Sequence, residues 1–201
     1  ILSEGVQFAW SCQSRFEPLD QPMLRLMRQA GCRQIGYGIE VASPRMQKYI
    51  KKGVNYELAR KTIDLTRKTG IEAKGFFMFG FPHETQEEVE QTIRLALSLD
   101  LDIAVFGIVT PYPNTVLYEE VKDQLKFHDW TQFSPNGSFD PPYVAEGFTK
   151  EELVRIYRTA HRRFYLRPSF LGKKFMNLLR NPDLFRRYWK TLALLLETMK
   201  R

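Results

Sequence analysis

Apolar and polar positions along this chain fall into alternating blocks, and their order predicts a repeating strand and helix architecture. Residues 6–12 are a short apolar run centred on Phe8, Ala9 and Trp10 and read as a strand, with polar Ser14 and Arg15 beyond it. Asp20 or Gln21 then caps a helix with Pro22 in its first turn; Leu24, Met27 and Ala30 share one face, and Gly31 closes it. Residues 33–38 form a second strand that ends at Glu40. Ser43-Pro44 opens a short helix through Met46 and Ile50 that Gly53 ends. Asn55 caps a longer helix whose apolar face is Leu58, Ala59, Thr62, Ile63 and Leu65, with Gly70 as the stop. Residues 71–79 are a third strand. Its apolar run is interrupted chiefly by Glu72 and Lys74, the pattern expected of a strand covered on both sides. Thr85 with Glu88 is a capping box for a helix that turns Val89, Ile93 and Ala96 inward. Residues 103–109 are a fourth strand, after which Thr115 caps a short helix through Leu117 and Val121.

The order βαβαβαβ, with helices long enough for right-handed crossovers, predicts an α/β fold with a parallel sheet. Three apolar runs stop at polar turns: Tyr37-Gly38-Ile39-Glu40, Phe79-Gly80-Phe81-Pro82 and Thr110-Pro111-Tyr112-Pro113. Three strands therefore deliver loops to one rim. In parallel sheets that rim, beyond the carboxyl ends of the strands, is where ligands bind.

From residue 122 the regularity fails, and Trp130, Phe133, Pro135, Gly137, Phe139, Pro141 and Pro142 mark an irregular segment with aromatic anchors, expected to lie across the domain. Thr149 with Glu152 opens another helix, carrying Leu153, Ile156, Tyr157, Ala160 and Phe164, that Pro168 ends. Pro182 separates two further helical runs, residues 170–179 and 183–199, the last with an apolar stripe of Leu192, Leu195, Leu196 and Met199 that needs a partner. The expected organisation is residues 1–121 as the α/β domain, 122–148 as its irregular cover and 149–201 as a helical extension.

Charge separates these parts further. Residues 1–149 carry 16 Lys+Arg against 19 Asp+Glu, whereas residues 150–201 carry 14 against 4, so the overall +7 resides in the extension. That extension can meet RNA, anionic lipid or an acidic partner, yet it holds no RNA-reading motif, and a solvated or protein-facing surface is the expected role. No stretch has the roughly 20 apolar residues of a membrane span, and Ile1-Leu2-Ser3-Glu4 has no basic start followed by an apolar core. A soluble, cytoplasmic protein is expected.

The chemistry is sought at the rim. Gly36 and Gly38 permit close backbone approach, and Glu40 just beyond can accept hydrogen bonds from a hydroxyl pair or an amine, as in ribose or ammonium recognition; it can equally be the carboxylate at the start of the next helix. The turn Phe79-Gly80-Phe81-Pro82-His83-Glu84-Thr85 can lie beside a flat ligand or serve only as loop architecture. His83 occupies a position suited to positive φ rather than to acid–base work. In Pro111-Tyr112-Pro113-Asn114-Thr115 two prolines hold the backbone, Asn114 can turn left-handed and Tyr112 can flank a ligand. Arg15, beside Ser14, can meet a carboxylate. No carboxylate pair, Ser-His-Asp set or phosphate-binding glycine loop is present, so hydrolase or kinase chemistry is unsupported.

Taken in order, Gly31-Cys32-Arg33-Gln34-Ile35-Gly36-Tyr37-Gly38-Ile39-Glu40, Lys51-Lys52-Gly53-Val54, the run from Gly75-Phe76-Phe77-Met78 through Thr85, and Pro111-Tyr112-Pro113-Asn114-Thr115 resemble the later half of a radical S-adenosylmethionine domain. The resemblance is to the cobalamin-dependent branch that includes the anaerobic magnesium-protoporphyrin ester cyclase and related methyltransferases, and Phe164-Tyr165-Leu166-Arg167-Pro168 resembles the helical segment after that domain. It implies a partial (β/α) barrel in which Glu40, with Gly38, contacts the ribose or methionyl part of S-adenosylmethionine. Gly80, Pro82, Pro111 and Tyr112 would line the adenosine end, and Ser14 and Arg15 would face the pocket. His83 and Asn114 stand where the family favours glycine.

Such enzymes hold a 4Fe-4S cluster on a C-x3-C-x2-C loop. Here the only cysteines, Cys12 and Cys32, are 20 positions apart, each read as a small buried side chain, and no metal ligands are assigned. The resemblance thus implies a fragment of an oxidative cyclase or methyltransferase acting on an organic or tetrapyrrole substrate, inactive alone and binding no cofactor by itself. Its expected partners are the remaining N-terminal part of the same protein, an electron donor, and a second copy through an exposed sheet edge or the C-terminal helices. A non-catalytic α/β scaffold and a radical enzyme acting on tRNA are the alternatives.

Overall fold

The computed structural model describes residues 5, 6, 8–17, 19–126 and 141–180. Four parallel strands form one sheet in the order β1 (Trp10–Ser14), β2 (Cys32–Glu40), β3 (Glu72–Phe79) and β4 (Ile103–Ile108). Between them lie α1 (Gln21–Gln29), α2 (Pro44–Tyr49), α3 (Tyr56–Lys68) and α4 (Gln86–Ser98); α5 (Val116–Val121), α6 (Lys150–Tyr165) and α7 (Pro168–Arg180) follow. This is a partial β/α barrel with a helical region after it in the chain. Two compact units are distinguished, Ile1–Tyr157 and Arg158–Arg201.

Helices α1 to α6 begin where a side-chain oxygen serves an orphan backbone N–H. Asp20, Ser43, Asn55, Thr85 and Thr115 accept from the first turns of α1 to α5, and Thr85 with Glu88 closes a reciprocal box. Thr149 and Glu152 exchange the same pair of bonds at α6. Pro168 opens α7 as well as following α6, consistent with proline at a first helical position. The left-handed residue after α2 is Lys51, with φ 55°, rather than Gly53.

The first strand differs from the reading of residues 6–12. Backbone pairing runs from Trp10 opposite Cys32 to Ser14 opposite Tyr37, while Val6 and Phe8 are about half exposed. Hydrogen-bonding register, not local hydrophobicity, fixed the strand here.

The two sheet faces differ. Ile35, Tyr37, Ile39, Ala73, Phe77, Phe79, Ala104, Phe106 and Ile108 are buried, and the stack Phe77–Phe106–Phe79 has centroid spacings of 5.3 and 5.7 Å. Helices α1, α3 and α4 pack from this side, contributing Leu24, Ala59, Ile63, Val89, Ile93 and Ala96. Burial of each large apolar side chain stabilises by roughly 1.5–3 kcal/mol. The opposite parity, Gln34, Lys74, Phe76, Met78 and Val105, is only half-buried. β3 alternates strictly between the two states, so the expectation of cover on both sides is corrected. Its apolar outer positions line a cavity.

Among the described residues no helix is long and apolar enough to cross a membrane. The second-helix stripe of residues 183–199 and the aromatic segment Trp130–Phe133–Phe139 lie outside the described residues.

Candidate functional site

Parallel pairing puts the carboxyl ends of β2, β3 and β4 on one rim, and β2 ends unusually there. The ladder slips between Gly38 and Glu40, and Glu40 adopts φ 65°, a left-handed conformation that costs a glutamate roughly 1–3 kcal/mol. The surroundings over-determine it. Gln47, buried on α2, donates from Nε2 to the carbonyls of Ile39 (3.2 Å) and Val41 (2.5 Å). Tyr56 Oη donates to the carbonyls of Val41 and Ala42 at 3.0 and 2.9 Å.

The same Gln47 organises the loop that faces Glu40. Its Oε1 accepts from the Val54 amide (3.1 Å), and its carbonyl accepts from the Lys52 amide (2.9 Å). Lys52 Nζ then donates to Glu40 Oε1 at 2.7 Å, with side chains 38% and 19% exposed, so water still reaches the pair. A Cβ on Gly38 would stand 2.5 Å from Lys52 Nζ and 2.6 Å from Glu40 Oε1. Glycine leaves the space that this ion pair fills.

Glu40, Lys52, Gly38, Ser14, Arg15 and Gln13 form the polar side of a cavity of about 570 Å³, whose other side is Phe76, Phe77, Met78, Val105 and Gly107. Of the residues expected from sequence, the cavity gathers Ser14, Arg15, Gly38 and Glu40. Gly80, Pro82, Pro111 and Tyr112 share the rim but are absent from its lining. Leu153, in the first turn of α6, lies 3.2 Å from where a Gly80 Cβ would be, and Gly80, Pro82 and Pro111 are buried; Tyr112 is exposed. Lys52, Gln47, Phe76, Met78 and Val105 were not singled out from sequence as site residues. Alternation of β3 and β4 against the glycines of β2 is the signal that finds the last three.

The turn after β3 is held from within. Glu84 Oε2 accepts from the amides of Gly80 (2.7 Å) and Phe81 (3.2 Å), while its buried Oε1 has no partner. Burial outweighs those two bonds and pushes this carboxyl up to about 7. Four residues on, Glu88 takes Arg45 in a two-pronged contact, with Ser43 Oγ at 2.6 Å, and is held down to about 2, chiefly by Arg45. His83 and Asn114 have φ of 62° and 63°, as their turn positions suggested.

Among the described residues no group of three or more His, Cys, Asp or Glu could hold a metal ion. Cys32 is buried and Cys12 half-buried; desolvation pushes both thiols up, Cys32 to about 11, and two thiols are fewer than the cysteine ligands such a cluster takes. The two cysteines do not fit a 4Fe-4S cluster.

Residues 10–96 match the Radical SAM superfamily. The matched segment contains β1 to β3 and most of α4, and hence every residue on the polar side of the cavity. The chain is 37% identical over 175 residues to an uncharacterized methyltransferase of Pyrococcus horikoshii, covering 86% of this chain and 38% of that protein. It is 26% identical over 177 residues to the anaerobic magnesium-protoporphyrin IX monomethyl ester cyclase of Rubrivivax gelatinosus, covering 87% and 31%. The chain therefore spans about a third of the length of these relatives. A solved structure of the radical S-adenosylmethionine methyltransferase TsrM from Kitasatospora setae, with cobalamin and a 4Fe-4S cluster bound, superposes with a TM-score of 0.55 at 17% identity, over 78% of this chain and 36% of that one. That likeness concerns the fold.

Proposed function

We propose that this chain is the S-adenosylmethionine-binding part of a radical S-adenosylmethionine enzyme of the methyltransferase or oxidative cyclase type, with Glu40 as its principal ligand-contacting residue. The observation that carries the reading is Glu40 itself: a glutamate in a strained left-handed conformation, at the carboxyl end of a parallel strand, aimed with Lys52 into a cavity. The cavity volume lies within the roughly 300–1,000 Å³ of small-molecule sites.

The donor set suits the proposed ligand. Glu40 accepts from an ammonium or a ribose hydroxyl, Lys52 and Arg15 offer cations to a carboxylate, and Phe76, Met78 and Val105 offer an apolar wall to a purine or thioether carbon. Bound S-adenosylmethionine supplies an activated sulfonium. The chain's own part is to bind and orient: Gln47 and Tyr56 hold the backbone around Glu40, and Gly38 leaves room for the Glu40–Lys52 pair. Gly80, Pro82, Pro111 and Tyr112 are assigned in this reading to the adenosine end of the same rim. An organic substrate, tetrapyrroles included, cobalamin and the electron donor belong to the proposed whole enzyme, and the cluster must be held by residues other than Cys12 and Cys32.

This departs from the expectation that the chain binds no cofactor by itself, and calorimetric titration of the chain with S-adenosylmethionine tests it. Saturable binding that Glu40→Ala weakens at least about tenfold, the scale of one charge-assisted hydrogen bond, is expected. Binding unchanged by Glu40→Ala, or absent at millimolar ligand, would remove the assignment.

A further inference from the structure

The second unit carries a surface that the cavity chemistry leaves unused. On α7, Leu171, Phe175, Met176 and Leu179 are 47%, 60%, 50% and 61% exposed. At about 100° per residue they fall within one sector roughly 140° wide, with Lys173 beyond one margin and Lys174 beyond the other. The helix contains no acidic residue.

Its opposite side is engaged. The Phe170 ring lies 5.5 Å from Phe164 and 5.3 Å from Tyr165, the Arg167 guanidinium stands 4.0 Å over Phe164, and the Lys174 ammonium stands 5.3 Å over Phe170. Phe170 thus docks α7 against the end of α6, and the exposed sector faces away from that cluster.

An apolar sector of this kind marks an interaction surface. A second copy would press Lys173 and Lys174 of two chains together, within segments that each carry 14 basic against 4 acidic residues. A groove on an acidic protein would take one short helix. The sequence after α7, however, repeats the same combination: Arg186, Arg187, Trp189 and Lys190 beside Leu192, Leu195 and Leu196. A basic and apolar pattern sustained over this length suits an extended surface without shape of its own. We infer that α7 docks on an anionic phospholipid surface, its apolar sector entering the headgroup and acyl boundary and its lysines meeting lipid phosphates. Phe175, near the centre of the sector, is the principal anchor.

The inference is independent of the proposed cofactor site. Its test is co-sedimentation of the whole chain with vesicles of phosphatidylcholine alone and of an equal mixture of phosphatidylcholine and phosphatidylglycerol. Binding to the mixture only, weakened by salt and lowered about tenfold or more by Leu171→Ser with Phe175→Ser, is expected. Those positions are exposed, and unchanged circular dichroism certifies the variant's fold. Lys173→Glu with Lys174→Glu should lower the preference for the anionic vesicles. Equal binding to both vesicles, binding to neither, indifference to either variant, or dimerisation that Leu171→Ser with Phe175→Ser abolishes, each overturns it.

Discussion

The two faces of the sheet use the same strands for different ends. On the helix-covered face β3 places Ala73, Phe77 and Phe79, with Gly75 between them, and on the other it places Lys74, Phe76 and Met78. The side chains of the first set are buried under α3 and α4; the second set is half-buried, and its Phe76 and Met78 line the cavity with Glu40 and Lys52. Glycines mark both faces. A Cβ on Gly75 would meet Leu101 at 2.6 Å and Phe77 at 3.0 Å, whereas one on Gly36 would meet the Phe76 ring at 2.7 Å. Parity along one strand thus separates residues that hold the fold from residues available to a ligand.

The sharpest test sets Phe106→Ala against Phe76→Ala. Truncating Phe106, between Phe77 and Phe79, should cost about 3–5 kcal/mol in urea denaturation, and truncating half-exposed Phe76 about 1 kcal/mol. Equal losses would show that the cavity face is packed as tightly as the other.

Glu84 gives the largest expected pH effect. Its folded carboxyl titrates near 7 and its unfolded one near 4.5, so its contribution to stability is full below about 4.5 and is lost as pH rises through 7. The loss is roughly 2–4 kcal/mol, and Glu84→Gln, which can still accept from Gly80 and Phe81, should flatten it in unfolding curves taken from pH 5 to 8. Glu88 runs the other way: held near 2, it stabilises above about 4.5 and loses that contribution as pH falls towards 2. Glu84→Gln that leaves the pH profile unchanged would sink this account.

Gln47→Leu follows, with an expected cost of about 1–3 kcal/mol from the Val54 amide left unpaired and the bonds lost at the Ile39 and Val41 carbonyls, which keep the Val41 amide and Tyr56 Oη as partners, together with weaker S-adenosylmethionine binding. Gly38→Ala is the smallest in stability, under about 1 kcal/mol, because the obstructed Lys52 ammonium can swing into water. Its readout is calorimetry: binding should fall while the unfolding midpoint stays nearly fixed. A drop in both would mean that the pair over Gly38 supports the fold rather than the site.

The boundaries of α1, α3 and α4 were legible because Asp20, Asn55, Thr85 and Glu88 act on their own first turns, an interaction that local sequence contains in full. Glu40 was legible for a similar reason, standing at the end of a glycine-bearing apolar run. Its left-handed backbone was not, since that depends on Gln47 and Tyr56 reaching across from two helices. Lys52 lay in a quoted motif, yet its meeting with Glu40 needed the loop after α2 to fold back over β2.

The sequence by itself determined the alternation of strands and helices, their caps, and the rim to which the loops run, because periodicity and capping act within a few residues. Only the tertiary structure decided the true start of β1, the open face of β3, the cover that Leu153 lays over Gly80, and the seat at Gly38 for the Glu40–Lys52 pair. These depend on register and on contacts between distant segments, where a shift of one residue turns a side chain to the opposite face.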